Sequence, residues 1–253
     1  MVKTSANWRQ FAKGLIRSFG LEVRRIPRFS AGHTPVEDIH PYADYAPWLG
    51  DDEFLMVHEK IRNHTLVDRY RCWELWTLAA EVRSVAGILL EVGVWRGGTG
   101  VLLAYRALQL GIDSPIFLCD TFRGVVKASE SDNFYKGGEH ADASPEIVAQ
   151  LAKKLGVTRI EILPGIFPDE TGSLIPPGPI RFCHIDVDTH DSAAECFAWV
   201  WPRLSPGGIV VFDDYGFSLC AGVTRFVESL RGQPGRVVVH NLNGHAVVIK
   251  TGM

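Results

Sequence analysis

Leu89-Leu90-Glu91-Val92-Gly93-Val94-Trp95-Arg96-Gly97-Gly98-Thr99-Gly100 reads as a buried strand, a glycine turn and the start of a helix. Glycine lets a backbone approach a ligand closely, and the first turn of a helix presents N–H groups that no helical carbonyl accepts. The spacing is not that of the dinucleotide fingerprint, because Gly93 to Gly97 is one residue too long for GxGxxG. Downstream, Phe117-Leu118-Cys119-Asp120-Thr121-Phe122 ends a second strand on an acid. A carboxylate at that position can accept both hydroxyls of an adenosine ribose.

Around this stretch, short apolar runs alternate with helical patterns, which predicts βαβ units and a parallel sheet covered on both faces. The runs are Ile88–Val92, Ile116–Cys119, Ile160–Leu163, Ile180–Ile185 and Ile209–Phe212, with helices expected over Thr99–Leu110, Pro145–Leu155, Asp191–Leu204 and Leu219–Leu230. A further helix is expected from about Thr65, with Leu66, Tyr70, Trp73, Thr77 and Ala80 on one face. The rhythm then changes: Arg236–Asn241 and Ala246–Thr251 are strand-like, and Asn243-Gly244 between them supplies the positive φ angles of a tight hairpin. The expected fold is α/β and Rossmann-like: a doubly wound, seven-stranded, mostly parallel sheet ending in an antiparallel hairpin, which is the class I methyltransferase architecture.

A second cluster is His184-Ile185-Asp186-Val187-Asp188 at the end of the fourth strand, with Phe212-Asp213-Asp214-Tyr215 at the end of the fifth. Four carboxylates on neighbouring strand ends repel one another unless a cation compensates. An all-oxygen set of Asp186, Asp213 and Asp214 favours a hard ion, Mg²⁺ first and Mn²⁺ or Ca²⁺ as substitutes. Residues two apart in a strand share a face, so Asp188 would point at the same site and is placed to take a proton. His184-x-Asp186 also begins a two-His-one-carboxylate triad, the signature of a rival class, an Fe(II) oxygenase. His184 is otherwise expected to be a core histidine bonded to backbone, and His190 a helix-start residue.

With 253 residues, 46% of them apolar and 22% charged, the chain can bury one full core. The division expected is residues 1–50 as a basic amphipathic helix and lid, and 51–253 as the catalytic domain. No apolar run approaches the roughly 18–20 residues that span a bilayer, and no signal peptide is visible, so a cytoplasmic location is expected. Five scattered cysteines without a CxxC read as reduced core thiols. Residues 1–28 carry seven basic side chains against Glu22 alone, a net of +6, which leaves −9 on the rest of a chain whose formal charge is −3. That balance argues against a nucleic-acid partner. Trp8, Phe11, Leu15 and Phe19 lie at helical spacing among those basic residues, suiting either an anionic membrane surface or packing against the domain or a second subunit. Tyr42, Tyr45 and Trp48 in the lid are candidate acceptor contacts, whereas Trp73, Trp76, Trp199 and Trp201 read as core or subunit contacts.

At Thr65-Leu66-Val67-Asp68 with Arg71, at Leu90-Glu91-Val92-Gly93-Val94-Trp95-Arg96-Gly97-Gly98, at Asp120-Thr121-Phe122, at His184-Ile185-Asp186-Val187-Asp188, and from Leu204-Ser205-Pro206-Gly207-Gly208 to Asp213-Asp214-Tyr215, the sequence resembles the macrocin O-methyltransferase family. The resemblance runs from about residue 50 to the C-terminus. It implies S-adenosylmethionine as methyl donor, with Thr65, Glu91, Gly93, Trp95, Asp120, Thr121, Ser129 and Asp186 around it. It also implies Mg²⁺ on Asp186, Asp213 and Asp214, Asp188 as general base, and a homo-oligomer. The acceptor expected is a hydroxyl of a sugar, on a glycosylated natural product or a polysaccharide. A catechol-like diol and a cofactor-binding domain without turnover are the alternatives.

Overall fold

The computed structural model describes Ile39 and residues 43–252. The basic helix expected over 1–28, most of the lid and Tyr42 lie outside the described residues. The chain divides into two units, Met1–His40 and Pro41–Met253, and the second contains every strand of the sheet.

Seven strands form one sheet: β1 (Ile88–Val92), β2 (Ile116–Asp120), β3 (Ile160–Pro164), β4 (Ile180–Ile185), β5 (Leu204–Phe212), β6 (Arg236–His240) and β7 (Ala246–Lys250), in the order β3-β2-β1-β4-β5-β7-β6. The first five are parallel, and β7 pairs antiparallel with both β5 and β6. The doubly wound sheet with its terminal hairpin is as the sequence predicts. Strand order reverses between β1 and β4, where open α/β sheets bind ligands. Three hydrogen bonds carry the ladder one step past the strand ends: Gly93 N–H to Cys119 O, Asp186 N–H to Val92 O and Asp213 N–H to Ile185 O, each 2.9 Å. They bring the glycine turn and the two acidic segments to one edge.

On one face lie α1 (Asp52–Ile61), α2 (Arg69–Glu81), α3 (Gly98–Gln109) and α4 (Pro145–Lys154), whose apolar side chains share one core with Leu89, Leu118 and Phe182. On the other lie α5 (His190–Val200) and α6 (Ala221–Ser229), packed on Leu90, Cys183 and Phe212. All five cysteines are free and buried in these two layers.

Three local expectations are corrected. The helix expected from Thr65 starts at Arg69, because Thr65 Oγ1 accepts from Val67 N–H in a turn and Asp68 then caps the helix by accepting from Tyr70 and Arg71 N–H. Its buried face is Cys72, Leu75, Trp76 and Ala79, while Leu66 and Tyr70 are 66% and 57% exposed. The helix expected to reach Leu204 ends at Val200, since Pro202 has no N–H to continue it and a short 3₁₀ turn leads into β5. Helix α1 has no counterpart in the sequence reading; Phe54, Val57 and Ile61 bury one side of it, and Phe54 packs edge-on against Trp73 at 4.9 Å and Trp76 at 5.8 Å. Fully burying a side chain such as Phe54 stabilises by about 1.5–3 kcal/mol.

Candidate active site

The switch point opens into a cavity of about 290 Å³. Gly93, Trp95, Asp120 and Thr121 line one end, and Asp186, Asp188, Asp213 and Asp214 the other. Thr65, Arg71, Tyr135, His140 and Phe217 are also part of the wall.

At the first end the backbone has no room for a side chain. A Cβ on Gly93, whose φ is +86°, would sit 1.6 Å from the carbonyl oxygen of Asp186. One on Gly98 would meet Thr65 Cβ at 2.6 Å, and Gly98 N–H donates to His64 O at 2.8 Å, so the Thr65 turn is wedged against the start of α3. Asp120 organises this turn: Oδ2 accepts from Val94 and Trp95 N–H, both at 2.7 Å, and Oδ1 from Phe122 N–H at 2.6 Å. The carboxylate expected to serve a ribose thus also holds the glycine turn together. Trp95 and Arg96 reach over to Asp142, Nε1 at 2.7 Å from Oδ1 and Nη2 at 2.6 Å from Oδ2, pinning the end of the 123–142 loop.

At the other end, carboxylate oxygens of Asp186, Asp213 and Asp214 lie within 4.8 Å of one another. Asp186 and Asp188 are not strand neighbours sharing a face: β4 stops at Ile185, and Asp188 turns in through a left-handed backbone with φ 62°. Asp214 has the same φ. Such conformations cost about 1–3 kcal/mol each in non-glycine residues and gather at functional sites. Burial, then the charges of Asp213, Asp214 and Asp188, push the Asp186 carboxyl well above the ordinary range. Asp214 is raised in the same way. Asp188 is raised by burial too, against a hydrogen bond from Tyr135. Burial also opposes ionisation of Asp213, but His245 and Arg71 outweigh it and hold Asp213 well below the usual carboxylate range. Arg71 Nη1 lies 2.7 Å from both Asp213 oxygens, and its Nε donates to Asp68 Oδ2 at 2.9 Å. Two acids whose ionisation is opposed by burial and by each other's charge, beside a third that His245 and Arg71 favour as an anion, fit a divalent cation.

The family model described as macrocin O-methyltransferase (TylF) matches residues 57–241, more than half of the chain. The chain belongs to the macrocin O-methyltransferase family. Among relatives of this family, mycinamicin III 3''-O-methyltransferase of Micromonospora griseorubida is 28% identical over 195 residues, 71% of this chain and 73% of that protein. The 8-demethyl-8-(2,3-dimethoxy-alpha-L-rhamnosyl)-tetracenomycin-C 4'-O-methyltransferase of Streptomyces olivaceus is 29% identical over 213 residues, 80% of this chain and 78% of that one. Two solved structures share the fold. The O-methyltransferase NovP has a TM-score of 0.64 at 23% identity, covering 75% of this chain and 83% of its own. The calicheamicin methyltransferase CalS11 has a TM-score of 0.59 at 17% identity, covering 87% and 100%.

Against the residues this family resemblance implies, the structure brings Thr65, Gly93, Trp95, Asp120, Thr121 and all four aspartates to one cavity. Glu91 and Ser129 are not part of its wall. Glu91 is fully buried beneath it, its Oε1 2.8 Å from His184 Nδ1, so His184 is bonded to a carboxylate rather than to backbone. Glu91 Oε2 and His184 Nε2 find no partner among the described residues. Ser129 N–H donates to Asp132, whose other oxygen accepts from His190 N–H at the start of α5. Among the described residues His184 and His190 do not cluster with Asp186; the two histidines and one carboxylate that do lie within 4.8 Å of one another are His184, His245 and Asp213, all buried, with only Asp213 in the cavity wall. Tyr45 and Trp48 stand away from the cavity wall, Tyr45 exposed and Trp48 edge-on to Tyr70 at 5.1 Å. Sequence reasoning missed Glu74 and His245, which lie behind Asp213, and Tyr135 on Asp188. No helix among the described residues is long and apolar enough to cross a membrane.

Proposed function

We propose that the chain transfers a methyl group from S-adenosylmethionine to a hydroxyl of a sugar on a glycosylated small molecule, with the help of a divalent cation. The observation that carries this reading is the convergence of Asp186, Asp213 and Asp214 within 4.8 Å in the same cavity as the Gly93 turn and Asp120. The names of the relatives support the acceptor class, since the tetracenomycin enzyme acts at the 4' position of a rhamnosyl compound.

The donor fits the first end: Gly93 leaves the backbone bare for a close approach, and Asp120 Oδ1, which accepts from Phe122 N–H alone among the described residues, keeps a lone pair for the ribose. Asp186, Asp213 and Asp214 would hold Mg²⁺, or Mn²⁺ or Ca²⁺ in its place, and the ion supplies Lewis acidity that makes a neighbouring hydroxyl easier to deprotonate. Asp188 takes the hydroxyl proton while the oxygen forms its bond to the methyl carbon and the carbon–sulfur bond breaks. A free carboxylate with a pKa of about 3.9 is a poor base for an alcohol. Burial raises Asp188 and brings its basicity nearer the task. Tyr135 shares the cavity wall with Asp188 and favours its charged form. The rest of the rate comes from holding the reacting atoms in line.

The test is release of S-adenosylhomocysteine from S-adenosylmethionine over a panel of glycosides and catechols, with Mg²⁺ and with a chelator. Metal-dependent turnover of glycosides is expected. Turnover confined to catechols would move the acceptor class, and turnover unaffected by the chelator would remove the cation.

A further inference from the structure

We infer that Glu74 and His245, which do not line the cavity, are a positioning pair that sets the affinity of the cation site by orienting Asp213. The inference rests on the cation site proposed for Asp186, Asp213 and Asp214. His245 is fully buried, with Nδ1 2.8 Å from Glu74 Oε2 and Nε2 2.9 Å from Asp213 Oδ1. Its ring therefore spans the gap between a carboxylate on α2 and the carboxylate that follows β5.

Glu74 is itself gripped by the β6–β7 loop. Asn243 Nδ2 donates to its Oε2 at 2.6 Å, and Asn241 Nδ2 donates to its Oε1. The loop is tied internally by His245 N–H to Asn243 Oδ1 and by Asn241 N–H to His245 O, both 3.0 Å. Gly244, with φ +105°, allows it to turn so that both asparagines and the histidine face α2. The asparagines of this hairpin thus do more than shape a turn.

On α2, Arg71 and Glu74 are three apart and face the same way, so one helix supplies both a direct partner of Asp213 and the anchor of its second partner. The result is an alternating chain, Glu74, His245, Asp213, Arg71, closed on Asp68. Asp213 Oδ1 accepts from Arg71 Nη1 and has His245 Nε2 at 2.9 Å as an ion-pair contact rather than an aligned hydrogen bond, and Oδ2 has Arg71 as its hydrogen-bond donor among the described residues. A buried ionic chain of this length gains little stability over well-packed apolar side chains. Fixing the orientation of a ligating carboxylate is what such outer partners do at metal sites, and losing one typically costs about 10–100-fold in metal affinity.

The experiment is titration of the full chain with Mn²⁺, the free ion being read by electron paramagnetic resonance, for the wild type, Glu74→Gln, His245→Gln and the double variant. S-adenosylhomocysteine affinity without metal is the control. Glu74→Gln is expected to weaken Mn²⁺ by about 10–100-fold with the control unchanged, and the double variant to bind no more weakly than His245→Gln alone. Wild-type Mn²⁺ affinity in Glu74→Gln would overturn the inference, as would independent losses that multiply in the double variant. Loss of the control as well would make Glu74 a brace of the fold and equally overturn it. Should Glu74→Gln not fold, Asn243→Ala, which leaves both charges in place, is expected to shift Mn²⁺ affinity in the same direction by less, and no shift would overturn the inference. A wild type that binds no Mn²⁺ would instead sink the cation site on which the inference stands.

Discussion

Arg71 Nη1 lies 2.7 Å from both carboxylate oxygens of Asp213, a contact between residues 142 apart that ties the start of α2 to the end of β5. Both side chains are almost wholly buried. Removing one partner of such a pair leaves an uncompensated charge in a poor solvent for it. Arg71→Met should therefore destabilise the metal-free protein by about 3–5 kcal/mol, measured by urea unfolding. Asp213→Asn in the Arg71→Met background should recover part of the loss, and the absence of any recovery would contradict the charge-pair account.

Asp188 reaches the cavity through a strained turn and stands outside the Asp186, Asp213 and Asp214 trio, and the proposed mechanism has it take the proton. Asp188→Asn keeps the shape and removes the basicity. Transfer in a single-turnover assay should fall by at least about a hundredfold, while S-adenosylhomocysteine and Mn²⁺ binding stay within a few-fold of wild type. Loss of donor binding in this variant would count against the assignment.

The pH dependence follows from the carboxylates that burial and mutual repulsion raise, Asp186 and Asp214. A carboxyl raised in the folded state binds its proton more tightly there than when unfolded, so its contribution to stability is full at low pH and falls as pH climbs through the folded value. A cation that replaces those protons should then stabilise more as pH rises. The increase in melting temperature on adding Mg²⁺ should grow between about pH 5.5 and about pH 8, read by differential scanning fluorimetry. Asp213, held low, works in the opposite sense and loses its contribution only in strong acid. A Mg²⁺ shift that shrinks as pH rises would contradict the cation site.

Gly93 has no space for a methyl group, since its Cβ would overlap the carbonyl of Asp186. Gly93→Ala must separate β1 from β4 at the switch point or fail to fold. Soluble Gly93→Ala should show no S-adenosylhomocysteine binding by calorimetry and reduced protection of the Asp186 amide in hydrogen exchange. Wild-type donor affinity would show that the turn is not the donor site.

The parts of this site that were legible in the sequence are those written locally. Strand ends appear as apolar runs, the close approach at Gly93 as a glycine after a strand, and the acidic cluster as aspartates at two strand ends. The buried face of α2 was not legible, because its start is set by the Asp68 cap and the exposed Leu66 and Tyr70 imitate a core stripe. Helix α1 carried a usable signal: Asp51 as cap, Asp52 and Glu53 in the first turn, His58 and Lys60 in the last. The Glu74–His245 contact joins residues 171 apart, and no spacing rule connects a helix to a hairpin loop over that distance. The turn that aims Asp188 depends on a left-handed backbone that an aspartate only occasionally adopts, so strand alternation brought Asp188 to the cavity for the wrong reason.

A donor at the Gly93 turn beside a cation on the aspartates can be sought in one set of calorimetric titrations, of S-adenosylhomocysteine and Mn²⁺ into the wild type, Asp120→Ala and Asp186→Asn/Asp214→Asn. Micromolar S-adenosylhomocysteine binding is expected in the wild type and should be lost in Asp120→Ala, while Mn²⁺ binding should be lost in Asp186→Asn/Asp214→Asn. Absence of S-adenosylhomocysteine binding in the wild type, with or without metal, would contradict the donor site and the methyl transfer built on it.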